Sequence, residues 1–466
     1  MKDVVRILFI QPNYRNIYSY ANSKAATPIF PPMGIAYMAS ILKQNNIDVK
    51  IIEANALNLN YTQIKEAIEA EKNLEYIGIT ASTVLIEEAN EIAKLCPPNV
   101  KVLVGGIHTS SLPKETLQEF KDIDIAVIGE GEFTILEILK NMDFKKIKGI
   151  AYRKDKKIII NPPRELIQDL DSIPFPAFEL LPLEKYRSLT TKNKKIGYIL
   201  TSRGCPYQCI FCADHIIHGK KFRYRSPENI IKEIEFLMNE YNVKEFEILD
   251  DNFTLLKERV HKFCNIITEK NLKFLWRCTN GVRIDKLDYN LLKRMKETGC
   301  YMLSLGIESG NDEILKNIKK GITKEQVVEI VKLCNKVGIE TRGLFMFGNL
   351  GEDEKTMQDT INFAKELNLD AATFHITIPF PKTEYWEIIK KEGEMLPKKW
   401  VDYVAYDNVV FRHKAINDPE KLIKIQKRAY KEFYLRPGYL FNQIKKIKKP
   451  RDIGILYKGA KTVLKF

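Results

Sequence analysis

The chain has 466 residues, 45% hydrophobic and 29% charged, with a formal net charge of +14. That length exceeds one ordinary core and calls for two domains with extensions, and the composition excludes a disordered or fibrous chain. There is no apolar run of about eighteen residues to read as a membrane span and no basic, apolar, small-residue order at the N-terminus to read as a secretion signal, so a cytoplasmic location is expected. Eight cysteines, clustered only between positions 205 and 212, do not form the framework of a disulfide scaffold; thiols available to a metal are the better reading. The positive charge favours anionic partners such as nucleic acid, phosphorylated substrates or an acidic membrane surface.

From the N-terminus, strand-like apolar runs alternate with segments of helical period. Val5 to Ile10, Val49 to Ile52, Tyr76 to Thr80, Val102 to Val104 and Ile123 to Ile128 read as strands. Met33 to Leu42, Ile64 to Ala70, Ile86 to Leu95 and Phe133 to Leu139 read as helices. This pattern predicts an α/β, doubly wound parallel sheet over residues 1–145, which binds ligands beyond the carboxyl ends of its strands. The contact candidates there are Gln11 and Pro12, Thr80 to Thr83 with Ser82 among them, Gly105, Gly106 and His108, and Gly129, Glu130 and Gly131. Tight βα turns alone would account for the same glycines.

The succession QP, PPMGIAYMASIL, VGGIHTS and IGEGE resembles the cobalamin-binding domain that precedes the catalytic barrel in a large branch of radical S-adenosylmethionine (SAM) enzymes. The resemblance implies a corrin held between these strand ends and the next domain. The Asp-x-His-x-x-Gly loop whose histidine ligates cobalt is absent, and no histidine precedes His108, so a histidine-free lower face or a domain that has lost the cofactor is implied. Residues 146–190 read as a connection, with a hairpin over Ile150 to Ile160 and the proline-rich stretch DLDSIPFPAFELLP.

Ile196 to Leu200 reads as a buried strand running into TSRGCPYQCIFC. Cys205, Cys209 and Cys212 can each ligate one iron of a cubane, leaving the fourth iron open to a chelating ligand. A zinc site completed by His215 or His218 is the rival, although no second cysteine pair exists; a bacterial ferredoxin would need a fourth cysteine followed by proline. CxxxCxxC with Phe211 before its last cysteine resembles the radical SAM signature, and the flanking KFRYRSPENIIKEI is similar to the cobalamin-dependent class. The resemblance implies a 4Fe-4S cluster on the three cysteines, SAM on the open iron, and Phe211 near the adenine.

Five further strands follow: Phe246 to Leu249, Phe274 to Cys278, Met302 to Ile307, Thr341 to Phe347 and Thr373 to Ile378. With Ile196 to Leu200 they predict a partial (β/α)6 TIM barrel over 191–400, with chemistry at the C-terminal strand ends. Asp250, Asp251 and His375 are the candidate catalytic side chains. By resemblance Glu308 and Ser309 of GIESG lie near SAM's ribose or amino acid end and Arg342 near its carboxylate, with Asn252 a further cofactor contact. A guanidinium facing a carboxylate is physically apt. Cys264, Cys278, Cys300 and Cys334 read as packing. The chain departs from the family in GNLGE, residues 348–352, and in Lys382 at a turn where glycine is usual.

Residues 401–466 are expected to be helical and basic. Asp418 and Pro419 start a helix whose Leu422, Ile425, Ala429 and Phe433 share one face. From Leu440 lysines and arginines interleave with apolar residues, which suits either a solvated tail or peripheral contact with an acidic membrane. The resemblance implies reductive SAM cleavage to a 5'-deoxyadenosyl radical and cobalamin-dependent methylation of an unactivated carbon. The implied partners are a small or lipid-like substrate and a donor such as ferredoxin or flavodoxin. Cyclisation or carbon-carbon coupling without methyl transfer is the alternative. An RNA-modifying methylthiotransferase is disfavoured because only Cys96 precedes Cys205, which argues against nucleic acid; a non-catalytic carrier would cleave no SAM.

Overall fold

Short β-branched runs form the first sheet of the computed structural model, which describes residues 6–15, 17, 28–188, 191–406, 408–413, 416, 418–445 and 454. Its strands are Arg6–Gln11 (β1), Asp48–Glu53 (β2), Tyr76–Thr80 (β3), Lys101–Gly105 (β4), Ile125–Val127 (β5), Ile150–Lys154 (β6) and Lys157–Ile160 (β7). They lie in the order β2-β1-β3-β4-β5-β6-β7. The first five pair in parallel and the hairpin adds two antiparallel strands at one edge. Helices cover both faces, as parallel strands apolar on both sides require, so the hairpin assigned from sequence to the connection is continuous with the first sheet. Strand order reverses between β1 and β3, and a doubly wound sheet opens a ligand crevice at such a point.

The second sheet begins with Gly197–Ile199 (β8), after which Ser202–Arg203 (β9) and Arg223–Tyr224 (β10) make a short antiparallel ribbon. Glu245–Ile248 (β11), Leu275–Val282 (β12), Cys300–Glu308 (β13), Glu340–Phe347 (β14) and Ala371–Ile376 (β15) follow. The order is β15-β14-β13-β12-β11-β8, parallel throughout, which is the expected six-stranded open barrel. Its outer face is packed: Trp276 meets Phe253 and Phe263 edge-on, and Phe345 and Phe347 stack on Phe374. Along β14, Thr341, Gly343, Phe345 and Phe347 are buried under helices while Arg342, Leu344 and Met346 stay partly open. A full barrel fills its interior with layered side chains; this lumen is the more accessible side.

The helix Pro419–Tyr434 starts where Asp418 caps the Glu420 N–H and buries Leu422, Ile425, Ala429 and Phe433. Phe374 of β15 meets its Tyr430 and Phe433. The short helical turn Trp400–Asp402 crosses back to the first domain. The Trp400 backbone N–H donates to Glu87, its indole N–H to Glu119, and its ring meets His108 at 4.6 Å. The basic stretch beyond residue 445, Gly454 apart, lies outside the described residues. Among the described residues no helix is long and apolar enough to cross a membrane.

Candidate functional site

The cysteine loop leaves the C-terminal end of β8 through a turn that only glycine fits. Gly204 has φ +81, and a Cβ there would lie 2.5 Å from the Lys221 carbonyl oxygen, a conformation and a space that a side chain cannot share. Between the cysteines, Ile210 is buried, donates to the Ile318 carbonyl and accepts from the Tyr385 N–H. Tyr207 donates to Asp285 while the Arg283 guanidinium lies 3.4 Å over its ring. The loop is therefore held before any ligand arrives. Cys205, Cys209 and Cys212 are partly exposed free thiols, and burial pushes the Cys212 thiol up to about 12. No three His, Cys, Asp or Glu side chains among the described residues converge on one metal ion. Three free thiols on one loop match three corners of a cubane, one thiolate to each iron. The donor set fits a 4Fe-4S cluster.

Asp250, a candidate catalytic carboxylate, is instead committed to the strand that feeds this loop. Its oxygens accept from the Thr201 N–H at 2.6 Å, from the Thr201 hydroxyl, and from Ser202 Oγ at 2.5 Å. Asp251 lies half-buried beside Asp214, and burial and then the Asp214 charge push the Asp251 carboxyl up to about 8. Asn252 is 1% exposed, yet neither atom of its amide has a partner. A buried amide with nothing bonded to it is costly, so it fits a polar ligand beside the loop.

Glu308 ends β13 with φ +67, a left-handed backbone that is strained for any residue but glycine. Its carboxylate meets Lys320 at 2.7 Å, with both side chains nearly buried, and the Lys320 ammonium lies within electrostatic reach of Cys209. An acceptor and a donor side by side match the two ends of an amino acid zwitterion, so this pair fits the methionyl part of SAM. Lys320 is absent from the sequence candidates. Ser309 corrects another expectation: its hydroxyl is fully buried against Thr360 and accepts from the Asn311 N–H, capping a turn outside the lumen. Arg342 pairs in register with Ser304, four residues before Glu308, which is about 13 Å along the strand. The groups acting on its charge are Tyr434, Arg277, Glu247 and Tyr406. His375 pairs with Met346, lies 5.0 Å from the Tyr406 ring, and is held down to about 4 by burial and then by Arg342. Phe211 packs against the core beside the cysteines.

At the first sheet, Gly106 has φ +121, and a Cβ would lie 2.5 Å from the Ala81 carbonyl oxygen. Gly105 ends β4 as bare backbone, Thr80 and Ser82 are partly open beside it, and Gly129 faces open space. Gln11 is nearly buried with its amide on the Pro12 carbonyl. This bare, glycine-lined edge fits a bulky planar ligand. His108, expected as a cofactor contact, is 1% exposed beneath Trp400, and burial holds it down to about 4. Glu130 is also corrected. It accepts from the Ile167 N–H at 2.8 Å and pairs with Arg223 at 2.8 Å and Arg203 at 3.3 Å, while Glu132 takes Arg203 at 2.6 Å. Gly131 lies against Met38. GEGE thus fastens the first domain to β9 and β10, the segments flanking the cysteine loop; in sequence its glutamates look the same as ligands would.

Comparison with known proteins bears on both sites. A family described as the radical SAM superfamily matches residues 199–364, and one described as the B12 binding domain matches residues 23–139. The uncharacterized methyltransferase PH0819 of Pyrococcus horikoshii is 36% identical over 95% of each chain. The anaerobic magnesium-protoporphyrin IX monomethyl ester cyclase of Rubrivivax gelatinosus is 28% identical over 94% of this chain and 78% of its own. Among solved structures, the radical SAM methyltransferase TsrM of Kitasatospora setae, with cobalamin and a [4Fe-4S] cluster bound, superposes with a TM-score of 0.72 at 16% identity, over 98% of this chain and 99% of its own.

Proposed function

The chain belongs to the radical SAM superfamily, in the branch that carries a B12-binding domain ahead of the radical SAM domain, and from this premise we propose that it methylates an unactivated carbon of a small-molecule substrate. When bound, the 4Fe-4S cluster, SAM and cobalamin supply the electron, the 5'-deoxyadenosyl radical and the methyl group. The chain's own residues bind and orient them. Cys205, Cys209 and Cys212 hold the cluster; Glu308 and Lys320 receive the amino acid end of SAM; Asn252 offers an unspent amide beside it. Ile210 and Phe211 keep that side of the loop apolar. The electron comes from outside, through a ferredoxin or flavodoxin.

The observation that carries the reading is the Glu308–Lys320 pair beside a loop of three free thiols, in a chain that also has a glycine-bare edge on a doubly wound sheet. The cyclase relative, alignable over 94% of this chain, favours ring closure as the second reading. Anaerobic reconstitution with iron, sulfide and hydroxocobalamin, followed by SAM and reductant, tests both. We expect retained corrinoid and 5'-deoxyadenosine formation. Cleavage of SAM without retained corrinoid would sink methyl transfer and leave the cyclase reading; zinc in place of iron, or no SAM-dependent change in the cluster's magnetic resonance, would sink both.

A further inference from the structure

Asparagines and the hairpin turn at Asp155 and Lys156 apart, three described residues other than glycine hold a left-handed backbone: Glu308, Lys319 and Lys382, at φ +67, +54 and +69. Strain of this kind persists only where the surrounding structure enforces it, and it gathers at functional sites. Here all three border the cysteine loop. The Ile210 N–H donates to the Ile318 carbonyl at 3.2 Å, and the Ile210 carbonyl accepts from the Tyr385 N–H at 2.9 Å. The segments 316–320 and 382–385 therefore both grip the loop between its cysteines, and Lys319, bonded to both oxygens of Glu384, ties them to each other.

The same rim is short of negative charge. In 283–286, 316–320 and 382–385 stand Arg283, Lys286, Lys316, Lys319, Lys320 and Lys382 against Asp285 and Glu384. Lys320 is buried on Glu308, Asp285 is bonded to Arg283 and Tyr207, and Glu384 is held by Lys319. Lys316 and Lys382 are exposed and have no carboxylate in ion-pair reach among the described residues. A lysine kept in a left-handed surface turn with nothing local to bond gains the fold nothing that glycine would not give more easily. Pro206 and Gln208 of the loop are exposed and Cys205 and Cys209 partly so, so the cluster's ligands stand close to solvent at this rim.

We propose that Lys316 and Lys382, one on each of the segments tied by Lys319 and Glu384, form the docking face for the electron donor, a small redox protein that is acidic around its own cofactor. This role rests on the radical reading, in which the electron comes from outside, and adds the place where it enters. At the encounter the carrier loses one electron and the cluster gains one, with no bond broken and no proton moved. Opposite charge steers such an encounter and sets its rate more than its final affinity.

Flavodoxin hydroquinone and a reduced 4Fe-4S ferredoxin are the donors, offered to the reconstituted full chain, with dithionite as a small reductant that needs no docking face. Binding of the oxidised carriers is followed by titration calorimetry and cluster reduction by stopped-flow absorbance, at about 0.05 M salt and again at about 0.5 M, where exposed charges are screened. At low salt at least one carrier is expected to bind Lys316→Glu/Lys382→Glu more weakly than wild type and to reduce it about tenfold more slowly, with most of the difference gone at high salt. Dithionite should reduce both proteins equally. Lys244→Glu/Lys273→Glu, the same charge change on exposed residues at the far end of the barrel, should keep most of the wild-type rate. Failure of both carriers to bind wild type overturns the proposal, as do equal carrier rates in wild type and variant, an equal fall with dithionite, or an equal fall in the control pair. Loss of binding to phosphatidylserine vesicles with electron transfer unchanged would give the face to a membrane and overturn it too. Lys382→Gly removes the charge and relieves the left-handed lysine, so it should fold at least as well as wild type and still accept the electron severalfold more slowly. Wild-type protein that takes the electron at this face but yields no 5'-deoxyadenosine supports the docking face and defeats the radical reading.

Discussion

Asp250 and the three cysteines divide the work of one loop in different ways, and substitution separates them. Serine at Cys205, Cys209 or Cys212 is expected to abolish 5'-deoxyadenosine formation and lower bound iron, measured by iron analysis and near-visible absorbance, with little change in the fold of the first domain. Asp250→Asn keeps every ligand but removes an acceptor from three donors. It should cost about 1–3 kcal/mol of stability, seen as a lower denaturant midpoint; unchanged stability with lost activity would return Asp250 to the catalytic list. The buried histidines add a pH dependence. His108 and His375 are held down to about 4, whereas an unfolded histidine takes its proton near 6.5. Between those values the unfolded chain binds the proton and the folded chain does not. Stability is then full above about pH 6.5 and falls as pH drops toward 4, by up to about 3 kcal/mol per histidine. The double variant His108→Phe/His375→Phe should show a shallower acid slope of apparent melting temperature, and an identical slope would refute this.

At the scale of elements, the strands were legible wherever apolar runs were continuous: Tyr76 to Thr80 is a strand with those bounds, and the six barrel strands fall where the alternation put them. The hairpin over 150–160 was legible as a hairpin but not as part of the first sheet, because alternation records one buried face and not which edge it joins. The site was read less well. A carboxylate at a strand end has the same sequence whether its donors come from a ligand or from the neighbouring backbone, which is why Asp250 read as catalytic and Glu130 as a cofactor contact. Lys320 was missed because a KKG turn reads as a solvated break, and only the close approach to Glu308 shows it buried. Lys382, where the family has glycine, keeps the left-handed backbone at φ +69, so that departure alters the side chain and not the turn. Gly106→Ala tests the β4 turn. With φ +121 and the Ala81 carbonyl oxygen in the way, it should destabilise the first domain by more than about 1 kcal/mol and reduce retained corrinoid while leaving the iron content intact.

Across the whole molecule, the two domains are joined by charge as well as by chain. Burial alone would raise the Glu130 carboxyl, but His218, Arg223 and Arg203 together outweigh it and hold it well below the usual carboxylate range. That stabilisation is present above about pH 4.5 and is lost as acid protonates the group. Arg203→Ala strands Glu132 in the interior and weakens the grip on Glu130, a change that costs about 3–5 kcal/mol in buried pairs. The expected result is faster protease cleavage in the connection 161–188, with each domain's own secondary structure retained; resistance equal to wild type would show that apolar packing alone holds the interface.

The fastening of Trp400 to Glu87, Glu119 and His108 closes the polypeptide into a hoop, because the connection already ties the same two bodies covalently. A rigid macrocycle as large as a corrin cannot thread a hoop without parting it, so finished protein should admit hydroxocobalamin slowly, and release of the clasp should set the pace. Trp400→Gly is expected to speed uptake in a stopped-flow absorbance trace, and an unaltered rate would mean that the passage lies elsewhere.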